Sequence, residues 1–149
     1  MALVDLIKKD VVKVPLVSQT KPEIIDELID ILYNGSRIKD REDVREAINK
    51  REELGSTGLE FGIAVPHAKT NAVGTLTVAI GISPGGVDFD ALDGKPSKLF
   101  FLILAAPNQS GPHIEALAEI AKLSKSRTFL TALMNAKSAD EVLDLFRLD

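Results

Sequence analysis

Leu99-Phe100-Phe101-Leu102-Ile103-Leu104-Ala105-Ala106 decides the fold class of this chain. A strand with one wet face alternates apolar and polar side chains, because successive side chains point to opposite faces. This run does not alternate. It is apolar throughout, as expected of a central strand covered on both faces. Pro107 ends it. A sheet covered on both sides needs helices on both sides, so helices are expected from the chain before and after it.

Working back toward the start, Thr75 to Ser83 reads as a strand, and Ser83-Pro84-Gly85-Gly86 and Asp93-Gly94-Lys95-Pro96 read as turns. Phe61 to Lys69 looks extended. A helix is expected from Asp40, as N-cap, to Leu54, with the apolar stripe Val44, Ala47, Ile48 and Leu54. Before it, Thr20-Lys21-Pro22-Glu23 is a Thr-x-x-Glu capping box. It opens a helix whose positions Ile24, Ile25, Leu28, Ile29 and Leu32 keep helical period, and Asn34-Gly35 stops it with glycine as the left-handed cap. Residues 11–17 read as a first strand, with Pro15 at an edge or end.

Past the central strand the pattern is helical. One helix starts near Ser110-Gly111-Pro112 and carries Ile114, Leu117, Ala118 and Ala121. A second carries Phe129, Leu130, Leu133 and Met134, and a third opens with Ser138-x-x-Glu141 and carries Val142, Leu143 and Phe146. The order is β, two α, three β, three α, with helices on both faces of the sheet. At 149 residues the chain fits one domain, 1–149, with no repeat or linker.

Composition excludes several function classes. The chain has no cysteine, which removes disulfides, thiolate catalysis and cysteine-based metal sites. It carries 18 basic and 22 acidic residues and 5% aromatics, and no Lys/Arg block reaches five residues, so it lacks the basic face and stacking rings of a nucleic-acid binder. No window approaches 18 apolar residues, and the start, with Asp5, Lys8, Lys9 and Asp10, does not read as a signal peptide. The expected compartment is the cytoplasm, without membrane insertion.

Two histidines are present, so any imidazole chemistry must use His67 or His113. His67 follows Pro66 where the apolar run Ile63-Ala64-Val65 ends, a place where a fixed strand can offer a side chain to solvent. His113 follows Gly111-Pro112 near a helix N-terminus, where free N–H groups and the dipole favour an anion and disfavour an imidazolium. The bland alternatives are a half-buried, hydrogen-bonded histidine and an idle surface histidine. Arg51 shares a helix face with Val44 and Ile48. Either its stem packs and its head reaches water, or its planar fork is held for an oxyanion. Gly81-Ile82-Ser83-Pro84-Gly85 matches G-x-S-x-G, but no helix follows the serine, so Ser83 is not read as a nucleophile. A histidine pair 46 residues apart has no metal-site spacing, and no P-loop is present; neither cofactor nor metal is expected.

The stretch from Arg51 to Lys69, with Ser56-Thr57-Gly58 before Pro66-His67 and an arginine sixteen residues ahead of the histidine, resembles the active-site segment of fructose/mannitol-type enzyme IIA domains. These belong to the bacterial phosphoenolpyruvate-dependent sugar phosphotransferase system and include a nitrogen-regulatory branch. Leu99 through Pro107 to His113 and Leu117 resembles the family's second signature. The resemblance spans nearly the whole chain. It implies a three-layer α/β/α fold around a mixed sheet. It makes His67 the phosphorylated nucleophile, taking a phosphoryl group from phospho-HPr and passing it to an enzyme IIB domain. His113 and Arg51 match the family's second histidine and its active-site arginine, expected to stabilise and neutralise the phosphate. Val87 to Pro96 resembles the fructose branch; the regulatory branch would use the same site to control other proteins. A hydrolase with His67 or His113 as general base is a third class. Phe61 departs from the pattern, since family members often carry Asn or Glu there.

Overall fold

The computed structural model describes residues 3–147, so the ends of the expected 1–149 domain lie outside the described residues. Two short 3-10 turns, Leu3–Leu6 and Lys9–Val11, lead into β1 (Val12–Lys13), α1 (Lys21–Asn34) and α2 (Arg41–Glu53). Then come β2 (Ile63–Ala64), β3 (His67–Lys69), β4 (Thr77–Val87) and β5 (Ser97–Ala105). The helices α3 (Ser110–Leu123), α4 (Arg127–Met134) and α5 (Ala139–Arg147) complete the described chain.

The sheet is mixed, in the order β1-β4-β5-β2, with β3 following β2 along the same edge of β5. β4 and β5 are antiparallel; β1 runs parallel to β4, and β2 and β3 run parallel to β5. Of the run 61–69, expected to be extended, residues 63–69 form one edge line in two short pieces, whereas Phe61 and Gly62 form the turn before it; the β-αα-βββ-ααα order holds. β5 is covered on both sides as its composition demands. Leu99, Phe101, Ile103 and Ala105 pack in one core with residues of α3, α4 and α5. Phe100, Leu102 and Leu104 pack in the other with residues of α1 and α2.

The caps follow from the sequence with one exchange. The Thr20 hydroxyl accepts from the Glu23 amide at 3.4 Å, and Asp40 accepts from the Glu42 and Asp43 amides. Gly35, however, has φ −85°, and the left-handed residue after α1 is Ser36, φ 60°. The backbone needs one left-handed residue to leave the helix, and the chain places it one position later.

Other differences have packing reasons. The expected strand over 11–17 shrinks to Val12–Lys13, which pairs in register with Ile80 and Gly81. Beyond it the chain touches the edge of β4 again through the Leu16 amide, which donates to the Ile82 carbonyl at 2.8 Å. Ser83-Pro84-Gly85-Gly86 is not a turn: β4 continues through a bulge, and pairing resumes at Val87 opposite Ser97. Leu54 was expected inside and is 84% exposed, since α2 ends at Glu53. On α3 the inward residues are His113, Ala116 and Ile120, whereas Ile114 is 66% exposed and Ala118 and Ala121 are exposed too. The helix is turned so that a histidine, rather than the neighbouring isoleucine, faces in. No helix among the described residues is long and apolar enough to cross a membrane.

Candidate functional site

β3 is the sheet edge at one end of the molecule, and α2 and the start of α3 come together there. His67 opens β3 opposite Ile103, and the Ile103 amide donates to the Pro66 carbonyl at 3.0 Å. This main-chain pairing fixes the backbone beneath the ring. The side-chain period of two then gives Lys69 the same strand face as His67, while Ala68 packs into the core beside α1 and α2.

His67 Nδ1 lies 2.8 Å from the Val65 carbonyl oxygen. A carbonyl only accepts, so Nδ1 carries the proton and donates it. That tautomer leaves Nε2, with its lone pair, as the free, nucleophilic atom.

His113 sits on α3 with ring centroid 5.4 Å from that of His67, edge-on at 66°. It is 7% exposed. Burial, with added repulsion from His67 and Lys69, pushes its pKa below the ordinary 6.5, so the ring is neutral at pH 7. Its Nε2 is buried and has no hydrogen-bond partner in the protein, and the same is true of Gln109 Oε1 at the N-cap of α3. A buried polar atom left unpaired costs about 1–3 kcal/mol. The first turn of α3 adds the amides of Ser110 and Gly111, which precede the first intrahelical bond, His113 N–H to Gln109 carbonyl.

Arg51 comes from the last turn of α2 and lines the same cleft of about 550 Å³ as Leu54, His67, Lys69 and His113. Its Nη1 donates to the Gly55 carbonyl at 3.0 Å, which leaves the other donors of the fork uncommitted to that bond. The base of this turn is tied down. Glu52 accepts from the Thr57 amide at 3.2 Å, bonds the Thr57 hydroxyl and pairs with Lys21 at 2.8 Å. The Ser56 hydroxyl donates to the Phe89 carbonyl at 2.7 Å. Gly58 is required here: a Cβ would meet the backbone of Phe89 and Ala91 at 2.9 Å.

The three residues singled out in the sequence thus share one cleft. Lys69, whose Nζ donates to Ser110 Oγ at 2.6 Å, was missed. Its signal was present, since two residues past His67 on a strand means the same face. Gln109 left no signal beyond its place at a helix start. Ser83 is 7% exposed within β4, without the strand-to-helix elbow that an activated serine needs. Phe61 is at the other end of β5, where the neighbouring Gly62 carbonyl accepts from Lys98 and Leu99.

Comparison with known proteins places the fold. Residues 5–148 match the family described as "Phosphoenolpyruvate-dependent sugar phosphotransferase system, EIIA 2". The chain is 37% identical, over 97% of its length, to the fructose-specific EIIABC component of the phosphotransferase system of Bacillus subtilis, and spans 23% of that protein's length. The crystal structure of nitrogen regulatory protein IIA-Ntr from Neisseria meningitidis superposes with TM-score 0.88 at 30% identity, covering 97% of this chain and 98% of that one. Enzyme IIA-mannitol of Escherichia coli, solved in complex with phosphorylated enzyme IIB-mannitol, superposes with TM-score 0.80 at 26% identity over 95% and 97% of the two chains. This chain belongs to the EIIA 2 family of the phosphoenolpyruvate-dependent sugar phosphotransferase system.

Proposed function

We propose that His67 accepts a phosphoryl group on Nε2 from phospho-HPr and hands it to an enzyme IIB domain, with His113 and Arg51 stabilising the group in transit. The observation that carries this reading is the Nδ1 contact to the Val65 carbonyl, because it frees one defined nitrogen for attack. In the forward step the His67 Nε2–P bond forms as the P–N bond to the donor histidine breaks, and the electron pair of that bond returns to the donor ring. The His67 ring gains positive charge as it is phosphorylated, and the Val65 carbonyl, still holding the Nδ1 proton, offsets it.

Phosphoryl transfer asks the protein for in-line positioning and for neutralisation of the equatorial oxygens. The unspent His113 Nε2 supports a role as a neutral donor to one oxygen. The Arg51 fork and the Lys69 ammonium supply positive charge beside it. A carrier must also release the group. Few donors and one neutral histidine suit that better than a tight, fully cationic cage.

The acceptor assignment draws on the mannitol pair, in which a related IIA is bound to phosphorylated IIB. Exposed Leu54 lines the cleft and exposed Ile114 adjoins His113, and they give a protein partner apolar surface to cover. The sugar branch proposed is fructose-like, supported by the 37% identity to a fructose-specific component. The likeness to IIA-Ntr supports a second reading, a regulatory protein that uses the same phosphohistidine to change its protein contacts.

The test is phosphoryl acceptance. The chain is mixed with phosphoenolpyruvate, enzyme I and its cognate HPr, and an acid-labile mass gain of one phosphate is followed. Gain in the wild type and none in His67→Ala is expected; a gain that survives His67→Ala overturns the assignment. Onward transfer to a fructose IIB separates transport from regulation.

A further inference from the structure

The end of the molecule away from the histidines holds a second cleft, of about 680 Å³, between the turn at Glu60–Gly62, the loop at Asp93–Lys98 and one face of α4 from Arg127 to Met134. Three cations line it, Lys95, Lys98 and Arg127, and among the described residues none of them is in an ion pair. Arg127 is the first residue of α4, whose first turn carries no acid. A cation there opposes the helix dipole, so the local potential is positive twice over.

Of the two carboxylates at the cleft, Asp93 is turned to the backbone. Its oxygens accept from the Lys95 amide at 3.0 Å and the Phe61 amide at 3.2 Å, and these bonds, the Lys95 amide first, hold its pKa below the ordinary value. Glu60 remains. Phe61 and Gly62, at φ 63° and 81°, are the central residues of the tight turn between Leu59 and Ile63, and the Asp93 carboxylate caps that turn at the Phe61 amide. The result is a partly exposed ring, 41% open, with the Arg127 guanidinium 3.5 Å from its centroid. Leu130, Met134 and Pro96 complete the apolar lining. A concave apolar bed with a few convergent charges is the ordinary form of a small-molecule site.

We propose that this cleft binds a small organic phosphate, its phosphate among Lys95, Lys98 and Arg127 and its planar or apolar body against Phe61, Leu130 and Met134. The guanidinium fork suits phosphate oxygens, and its stacking on Phe61 preorganises it for them. None of these residues belongs to the histidine cleft, so the site stands independently of the phosphocarrier reading.

The probes are adenosine monophosphate and inorganic phosphate, titrated into the wild-type chain at low salt and followed by amide chemical shifts and calorimetry. Saturable binding is expected, with shifts centred on Phe61, Lys98 and Arg127, and with adenosine monophosphate the tighter of the two. The double variant Lys98→Gln/Arg127→Gln weakens both probes about tenfold or more. Phe61→Ala weakens adenosine monophosphate several-fold and leaves inorganic phosphate unchanged. His67→Ala, run in parallel, keeps the binding, which separates this cleft from phosphate entering the histidine site. Phosphoryl acceptance by the double variant matches the wild type and reports that it is folded. No saturation with either probe up to about 10 mM, unchanged affinity in the double variant, loss of binding in His67→Ala, or equal affinity for the two probes overturns the proposal.

Discussion

His67 and His113 lie 5.4 Å apart and are held in opposite ways. His67 is half-buried, with its Nδ1 proton anchored on a carbonyl and its second nitrogen free. His113 is buried, kept neutral by its surroundings, with Nε2 bonded to nothing in the protein. In the proposed transfer the same side chain serves as nucleophile in one place and as donor in the other, and environment makes the difference. Glu27 sharpens the lesson. It is as buried as His113, 8% against 7% exposed, yet its carboxylate accepts from the Val17 and Ser18 amides and pairs with Lys13 at 2.7 Å. Burial alone does not mark a functional group; His113 differs in leaving a buried polar atom unspent at a cleft that it shares with the other histidine.

The contrast between the histidines breaks or stands on their separate removal. His67→Ala takes away the attacking atom, and complete loss of phosphate acceptance is expected with the thermal unfolding transition retained. His113→Ala leaves the nucleophile in place and removes a donor to the moving group. Transfer slows by about 10²- to 10³-fold, the usual effect of deleting one such donor, while slow labelling of His67 persists. Rapid-quench rates check this, and a wild-type rate would reduce His113 to a buried ring without a role. Arg51→Lys keeps the charge but loses the fork. A loss of roughly tenfold, about 1.4 kcal/mol of barrier, is expected. An unchanged rate would mean that the guanidinium serves only the Gly55 carbonyl.

Much of this was legible in the sequence, for a physical reason. Leu99–Ala105 is apolar at every position because both of its faces are covered, so the layering could be read from one strand. Pro66-His67 at the end of an apolar run, and His113 just inside a helix start, are local statements that the fold keeps. What could not be read depends on how elements are turned against each other. Leu54 and Ile114 were assigned inward by hydrophobicity, and both face solvent beside the site, because α2 ends before Leu54 and α3 is rotated to bury His113. Hydrophobic period assumes that the core wins every apolar side chain. At the rim of the histidine cleft it does not. Phe61 gave no sign of its left-handed backbone, because it and Gly62 (φ 63° and 81°) are the two central residues of the tight turn that brings Ile63 back against Leu59, a position usually filled by Asn or Gly.

The smallest effect on transfer, none, is expected of Glu27→Gln, and its stability profile separates it from His113. Burial raises the Glu27 pKa, but the Lys13 contact and the Val17 and Ser18 bonds outweigh it and hold the group below its ordinary 4.5. The unfolded chain therefore binds a proton there before the folded chain does, and stability present above about pH 4.5 is lost as the pH falls through and below it. His113 has the same sign in a higher window. Its folded pKa is below 6.5, so its contribution is present above pH 6.5 and is lost as the pH falls from there toward the folded value. Melting temperature against pH should therefore decline in two stages on acidification. His113→Gln removes the upper stage and Glu27→Gln the lower, and Glu27→Gln also costs about 1–3 kcal/mol at neutral pH through its weakened bonds. If His113→Gln left the upper stage in place, the ring would not be held neutral by burial. Its unpaired nitrogen would then be no evidence of a site, and the two histidines would differ only in depth.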